Sequence, residues 1–365
     1  MEKRNKVLHV LGGMGRGGAP SFIINNMKKT NAQKLEYDFL VRKDNCAFNE
    51  EIKEHGGNIY IVPEFPQKLI ANYIETRKFF KEHKDEYIAV HIHANALLYM
   101  LPIRLAMTEW NCKVIVHSHN TQSNIKGLSY IHKFNRRFRL PDNCIRLACG
   151  KEAGRWMYGD KSFEVINNAI DASKFRYSEN DRTKIRKELG IKEDAFVVGN
   201  VGRFENVKNH TFMIDIFIEL LKRNNNSILL LVGDGSLKDS IETKVRKLSI
   251  EGNVIFTGNR SDTSCFYSAF DAFLMPSLFE GLPFTLVEAQ AAGLPCVISQ
   301  NITSEVGLTN LIHRRSLDDS PSEWANSIIN AKQPALREEY VDEIKAASYD
   351  TGVTAKRLQE IYLSD

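Results

Sequence analysis

Short apolar runs alternate with longer amphipathic stretches along nearly all of this chain, and that alternation limits it to one broad class of fold. Runs too short for a helix, each followed by a helix-length stretch mixing charge with apolar residues, read as repeated βα units around parallel sheets. In the first half, strands are expected at 7–11, 37–41, 59–62, 88–93, 113–117 and 146–148, with helices over 21–29, 68–83 and 96–107. In the second half, strands are expected at 196–201, 228–232, 254–257, 272–275 and 296–299, with helices over 211–223, 237–248 and 284–292. The rhythm breaks at 165–175, where a strand-like start gives way to turn formers, and a charged helix over 182–189 begins it afresh. At 365 residues the chain exceeds one ordinary core. The expected fold is therefore α/β: two Rossmann-like, doubly wound parallel-sheet domains, residues 1–170 and 171–349. Such sheets take ligands at the carboxyl ends of their strands, so both domains are expected to face a cleft that holds the site.

Composition removes several classes of function. The chain is 43% hydrophobic and 26% charged, as soluble domains are. No apolar run approaches the roughly 20 residues of a membrane span, and the start reads as a strand and not as a signal peptide. The cysteines at 46, 112, 144, 149, 265 and 296 form no CxxC pair and no metal-ligand spacing, which reads as reduced thiols in the cytoplasm. A net charge of +4 does not suggest nucleic acid. The cations are unevenly spread, however: Lys126, Lys133, Arg136, Arg137, Arg139 and Arg146 face one acid, Asp142.

The second half carries the densest chemistry. Met275 to Glu288 reads MPSLFEGLPFTLVE, a strand end followed by a loop with Glu280, then Gly281, Leu282 and Pro283. Pro283 suits the first position of a helix because its missing N–H is not needed there. The amides of Leu282, Phe284 and Thr285 would then point from a helix N-terminus, where an anion is favoured. Glu288, more than one turn in, could accept hydrogen bonds from vicinal ribose hydroxyls, and Glu280 could reach a sugar hydroxyl. Upstream, VGRFENVKNH over 201–210 places Arg203 after a strand and Lys208 before a helix, cations suited to a diphosphate leaving group. Gly233-Asp234-Gly235 forms a tight strand-to-helix turn, and Thr257-Gly258 ends another strand. Asn200, last but one in its strand, is a further candidate.

These four clusters, in this order, resemble family 4 of the retaining glycosyltransferases, which have the GT-B fold (bacterial polysaccharide-type, group 1). The motif-level likeness is concentrated between Asn200 and Pro295. The resemblance implies that Arg203 and Lys208 hold the diphosphate and Glu288 the ribose. It places Glu280 against the donor sugar, with the amides of Gly281, Leu282, Pro283's neighbours Phe284 and Thr285 near sugar and phosphate. It also implies transfer from a nucleotide sugar, UDP being expected, with retention, without cofactor and without a metal, in surface polysaccharide synthesis. A final helix, within about 350–365, is expected to cross back onto the first domain.

In the first half, Gly13-x-Gly15-x-x-Gly18 follows the first strand and satisfies the dinucleotide fingerprint, which raises an NAD-dependent oxidoreductase as a rival. That reading needs an acid at the end of the second strand, but Asp38 lies near its start and Arg42 at its end. The family likeness offers another use, with Gly15 and Gly17 closing on donor phosphates and acceptor. His119, and His117 two residues before it, end a strand at its ligand edge; the resemblance assigns one of them, His119 first, to the donor sugar. With His91 and His93 nearby, zinc is conceivable, yet no carboxylate stands at ligand spacing. The stretch 126–140 interleaves cations with apolar residues. It reads either as a helix on an anionic membrane face, which would imply a lipid-linked acceptor, or as a core helix with a solvated basic face. A UDP-sugar 2-epimerase of the same fold and a non-catalytic nucleotide-sugar binder are the remaining rivals.

Overall fold

The computed structural model describes residues 5–15, 17–31, 34–110, 112–120, 128–280 and 282–364. It divides into two units, Met1–Ala169 with Thr351–Asp365, and Ile170–Asp350. Each is a parallel sheet with helices on both faces.

In the first unit the strands are β1 (Asn5–Leu11), β2 (Leu35–Val41), β3 (Ile59–Ile61), β4 (Tyr87–Ala94), β5 (Lys113–Ser118), β6 (Ile145–Ala148) and β7 (Glu164–Val165), in spatial order β3-β2-β1-β4-β5-β6-β7. The helices are α1 (Gly18–Lys29), α2 (Asn49–Glu54), α3 (Leu69–Glu82), α4 (Leu101–Glu109), α5 (Leu128–Phe138) and α6 (Lys151–Tyr158). Because strand side chains alternate, β4 sends Val90 and Ile92 into one core with Phe80 and Trp110. Ala89 joins the other core, with Phe22, Phe39 and Ile115, and His91 and His93 share its parity. The last helix, α14, spans Thr351–Leu363 and belongs to this unit. It is pinned by Thr354 Oγ1, which donates to Asn26 Oδ1 at 2.7 Å, and by Tyr362, buried in the second core.

The second unit holds β8 (Phe196–Val201), β9 (Ser227–Val232), β10 (Val254–Phe256), β11 (Ala272–Met275), β12 (Cys296–Ser299) and β13 (Ile312–Arg315), ordered β10-β9-β8-β11-β12-β13. Around them lie α7 (Glu179–Glu188), α8 (His210–Leu221), α9 (Lys238–Lys247), α10 (Thr263–Ala269), α11 (Phe284–Ala291), α12 (Pro321–Asn330) and α13 (Tyr340–Ala346). In both sheets the strand order reverses beside the first strand, at β1/β4 and at β8/β11. Those are the switch points where such sheets open a crevice.

Two expectations need correction. The helix expected over 96–107 begins only at Leu101, with Pro102 in its first turn. A proline five residues further into a helix would lack its N–H partner and clash with the preceding turn, so 96–100 is loop. Pro283 caps α11 and does not open it: its backbone is extended, at ψ 119°, and Phe284 is the first helical residue.

Candidate functional site

In the second unit the candidate residues gather around the β8/β11 switch point. Arg203 lies exposed just past β8. Lys208 sits in a short 3-10 turn, Asn206–Lys208, ahead of α8. Its ammonium meets the Glu280 carboxylate at 2.6 Å, each side chain being 16% exposed. Its stem passes Gly202, where a Cβ would come within 3.5 Å of Lys208 Cε. A methyl group there would touch the lysine stem at ordinary van der Waals distance. So the two cations expected on a diphosphate are unequal: one is already neutralised by Glu280, and the other is exposed and has no ion pair among the described residues.

The Gly233-Asp234-Gly235 turn is closed by the protein itself. Gly233 adopts φ +140°, and a Cβ on it would come 2.0 Å from the Gly202 carbonyl oxygen. A Cβ on Gly235 would lie 2.6 Å from the Phe204 nitrogen. Both glycines are thus needed for the turns after β8 and β9 to lie backbone to backbone, whatever ligand lies beyond. Asp234 is exposed, and its Oδ1 accepts the Gly235 amide at 2.7 Å. Thr257 and Gly258 extend this edge; the Gly258 carbonyl accepts the Gly233 amide at 2.9 Å, and open space faces the glycine. Asn200 is 2% exposed, its amide donating to the Leu274 carbonyl at 2.8 Å, so it ties β8 to β11 and does not reach the surface.

On the other side of the switch point, the Leu286 amide takes the Pro283 carbonyl at 3.1 Å. The amides of Phe284 and Thr285 precede any intrahelical acceptor, and Thr285 Oγ1 is buried without a hydrogen-bond partner among the described residues. Leu282 and Phe284 are half-buried against Val287 and Ala291; Gly281 lies outside the described residues. Glu288 stands one turn further on. Burial raises its pKa to about 7, against the opposing pull of a hydrogen bond from Tyr267, whose hydroxyl lies 2.5 Å from Oε2. Tyr267, on α10, is a partner no motif announced.

In the first unit, Gly13 and Gly15 make room for Asn45: a Cβ on either would approach its side-chain amide to 2.5 and 3.1 Å. Gly17 caps α1 and is exposed. Asp38 cannot serve a dinucleotide ribose, because it is fully buried within β2 and holds the Asn58 amide at 2.7 Å and the Tyr87 hydroxyl at 2.9 Å.

Five histidines, four from three adjacent strands and His119 just past β5, cluster in this unit. His9 Nδ1 lies 2.9 Å from His93 Nε2, and His93 Nδ1 lies 2.8 Å from His119 Nε2. A second chain runs from His117 Nδ1 to His91 Nε2 at 3.2 Å, and from His91 Nδ1 to the Tyr362 hydroxyl at 2.6 Å. His117 is fully buried, stacked 4.3 Å from His119. Burial lowers all five pKa values, His9 and His119 to about 3. Imidazole tolerates such burial by giving up its charge. The ring nitrogens of His9, His91 and His93, and those of His93, His117 and His119, come within 4.8 Å of one another. Either triplet has the donors for a soft divalent ion, though neither brings a carboxylate to offset its charge. His93 and His119 also line a cavity of about 680 Å³, together with Gly12, Gly13, Arg42 and Tyr99.

Helix α5 is amphipathic in the unusual sense. Among its described side chains the buried ones are polar: His132 accepts the Leu97 amide at 3.0 Å, and the Asn135 amide donates to the Leu97 carbonyl at 2.7 Å. Tyr130, Ile131, Phe134 and Phe138 are 49–77% exposed, and Lys133, Arg137 and Arg139 are exposed among them. The reading of this stretch as an apolar face in the core fails for Tyr130, Ile131, Phe134 and Phe138, whereas Leu140, just past the helix, is buried in the first core; Lys126, from the same stretch, lies outside the described residues.

Residues 181–319 match the family model for glycosyl transferases group 1. The putative glycosyltransferase EpsF of Bacillus subtilis is 34% identical over 98% of this chain and 96% of its own length. A UDP-Gal:alpha-D-GlcNAc-diphosphoundecaprenol alpha-1,3-galactosyltransferase of Escherichia coli is 29% identical over 64% of this chain and 62% of its length. The structure of Anabaena Alr3699/HepE in complex with UDP superposes with a TM-score of 0.80, at 19% identity, over 99% of this chain and 100% of that one. Its two doubly wound units have the GT-B fold, and the chain belongs to the group 1 glycosyltransferases.

Proposed function

We propose that this glycosyltransferase moves a sugar from a UDP-sugar to a hydroxyl of a lipid-linked glycan acceptor, with retention, without a metal or cofactor in the chemical step, in surface polysaccharide assembly. The observation that carries the donor half is the convergence of Arg203, the Lys208–Glu280 pair, the α11 N-terminus and Glu288 on one switch point. The UDP held by HepE supports the choice of base. In this reading the Glu288 carboxylate accepts two ribose hydroxyls, while the Phe284 and Thr285 amides and the Thr285 hydroxyl receive the diphosphate. As the glycosidic bond breaks, charge develops on the leaving phosphate. Arg203 neutralises it, and Lys208 shares its proton donors between that phosphate and Glu280. Glu280 accepts from a sugar hydroxyl, and His119 offers a neutral imidazole to a sugar hydroxyl. Departure on the front face lets the phosphate oxygen take the acceptor proton.

The acceptor half rests on α5, whose exposed aromatics and cations suit the headgroup region of an anionic bilayer. The E. coli relative, whose acceptor is a diphosphoundecaprenol-bound sugar, supports a lipid carrier. The protein would then sit at the cytoplasmic membrane face. Calorimetry with UDP, GDP and ADP, followed by proton NMR of the product's anomeric linkage, tests the donor half. Preferential binding of GDP or ADP, an inverted product, or loss of transfer on EDTA treatment would each refute part of it. Donor consumption in buffer alone would indicate the epimerase instead.

A further inference from the structure

Arg42 enters none of the chemistry above, yet it is the one guanidinium lining the first-unit cavity among the described residues. It stands at the end of β2, where its amide donates to the Gly12 carbonyl at 3.2 Å. Its side chain lies over the glycine turn: a Cβ on Gly12 would come 3.4 Å from Arg42 Nη2. The guanidinium carbon sits 4.6 Å from the centre of the Tyr99 ring, which fixes the plane of the fork. Nε is buried without a hydrogen-bond partner among the described residues, and no carboxylate there reaches ion-pair distance. Burial lowers the arginine's pKa against the opposing influences of Tyr99 and Glu64. A guanidinium does not give up its proton, so a half-buried one with unused donors is a cation awaiting an anion.

The surroundings say what kind of molecule would bring it. Phe65, Pro66 and Ile131 form an apolar rim, and Ile131 belongs to the outward apolar face of α5. Deeper in, His119 offers a neutral imidazole whose Nδ1 has no hydrogen-bond partner among the described residues and suits a hydroxyl, while both nitrogens of His93 are taken by His9 and His119. We infer that Arg42 binds an anionic group carried by the acceptor, a phosphate or a carboxylate adjoining the sugar that receives the transfer, and that this cavity is the acceptor pocket. The inference rests on the proposed transferase reading, in which the donor's own phosphates are served by Arg203, Lys208 and the α11 N-terminus.

Calorimetry on the full chain tests it with three probes: N-acetylglucosamine 1-phosphate, glucuronate and neutral N-acetylglucosamine, with UDP as control. The wild type should bind one charged probe about tenfold or more tighter than the neutral sugar, the size of a charge-assisted pair, and the better of the two identifies the anion. Arg42→Gln should reduce that probe to the neutral sugar's level while leaving UDP affinity unchanged, and Arg42→Lys should fall between, keeping the charge and losing the fork. Should Arg42→Gln fail to fold, salt decides: high ionic strength must weaken the charged probe in the wild type and spare the neutral one. Equal affinity for charged and neutral probes, or a preference that survives Arg42→Gln, overturns the inference. So does a variant that weakens UDP as much as the probe, since Arg42 would then belong to the donor. Failure of UDP to bind the wild type refutes the donor reading, whereas the acceptor preference is read from the other probes.

Discussion

The carboxyl ends of the two sheets solve the same problem with opposite chemistry. Beyond β8 and β11 stand permanent charges kept near water, with Arg203 exposed and Lys208 and Glu280 paired at 2.6 Å. Within β1, β4 and β5, and just past β5 at His119, stand imidazoles, buried and neutral, hydrogen-bonded to one another. In the proposed reading the charged end serves a leaving group, whose developing charge fixed cations must neutralise. In the same reading the imidazole end meets sugar hydroxyls, which need no fixed charge. The contrast makes the two ends respond differently to mutation and, in opposite senses, to pH.

The largest effect is expected on the charged side. Arg203→Ala should lower kcat/KM for transfer by about 10²–10³-fold, as loss of a fixed donor to developing charge does. Steady-state assay with saturating acceptor would measure it, and turnover near wild type would mean Arg203 does not serve the leaving group. Glu280→Gln should leave Lys208 unpaired and free for the diphosphate, tightening UDP while slowing transfer.

On the imidazole side the effect should be on stability. His93→Ala strands one nitrogen each of His9 and His119, at about 1–3 kcal/mol apiece, and a lowered melting temperature would register it. The acid response follows from linkage. The five folded-state pKa values are depressed, those of His9 and His119 to about 3. The unfolded chain therefore binds more protons below about pH 6.5, and stability present above that pH is lost as pH falls. A melting temperature flat between pH 7 and 5 would break this side of the comparison.

How much of this was open to sequence reading differs by side for the same reason. Turn chemistry and charge are local, so MPSLFEGLPFTLVE and Arg203 could be read from spacing alone, as could most strands of both sheets. Edge strand β13, Ile312-His-Arg-Arg315, carries too few apolar residues to signal a strand and is formed by pairing with β12. The histidine chain depends on register: His9 stands opposite His91, and His93 opposite His117, only because three strands align so. His9, set inside an apolar strand and far in sequence from the other histidines of the cluster, carried no signal. Tyr267 likewise reaches Glu288 from another helix, and α5 hides its inversion because composition does not say which face is buried. Phe134→Ser with Phe138→Ser sharpens that last point: it should abolish sedimentation with anionic vesicles while moving the melting temperature little.

The smallest effect belongs to Glu288, where the charged side shows its own pH dependence. Its folded pKa is raised to about 7 by burial. The folded protein thus holds a proton that the unfolded chain has released above about pH 4.5, and the linked stability is lost as pH rises through about 7. This is the reverse of the histidines. Ribose hydroxyls donate best to the ionised carboxylate, so UDP affinity should strengthen across the same interval. Glu288→Gln should remove both slopes, and Tyr267→Phe, which deletes the hydrogen bond favouring ionisation, should shift the affinity midpoint to higher pH at a cost of about 1 kcal/mol. A midpoint that stays in place in Tyr267→Phe would mean that the pH response of UDP binding comes from the nucleotide's own phosphates, and Glu288 would lose its assignment to the ribose.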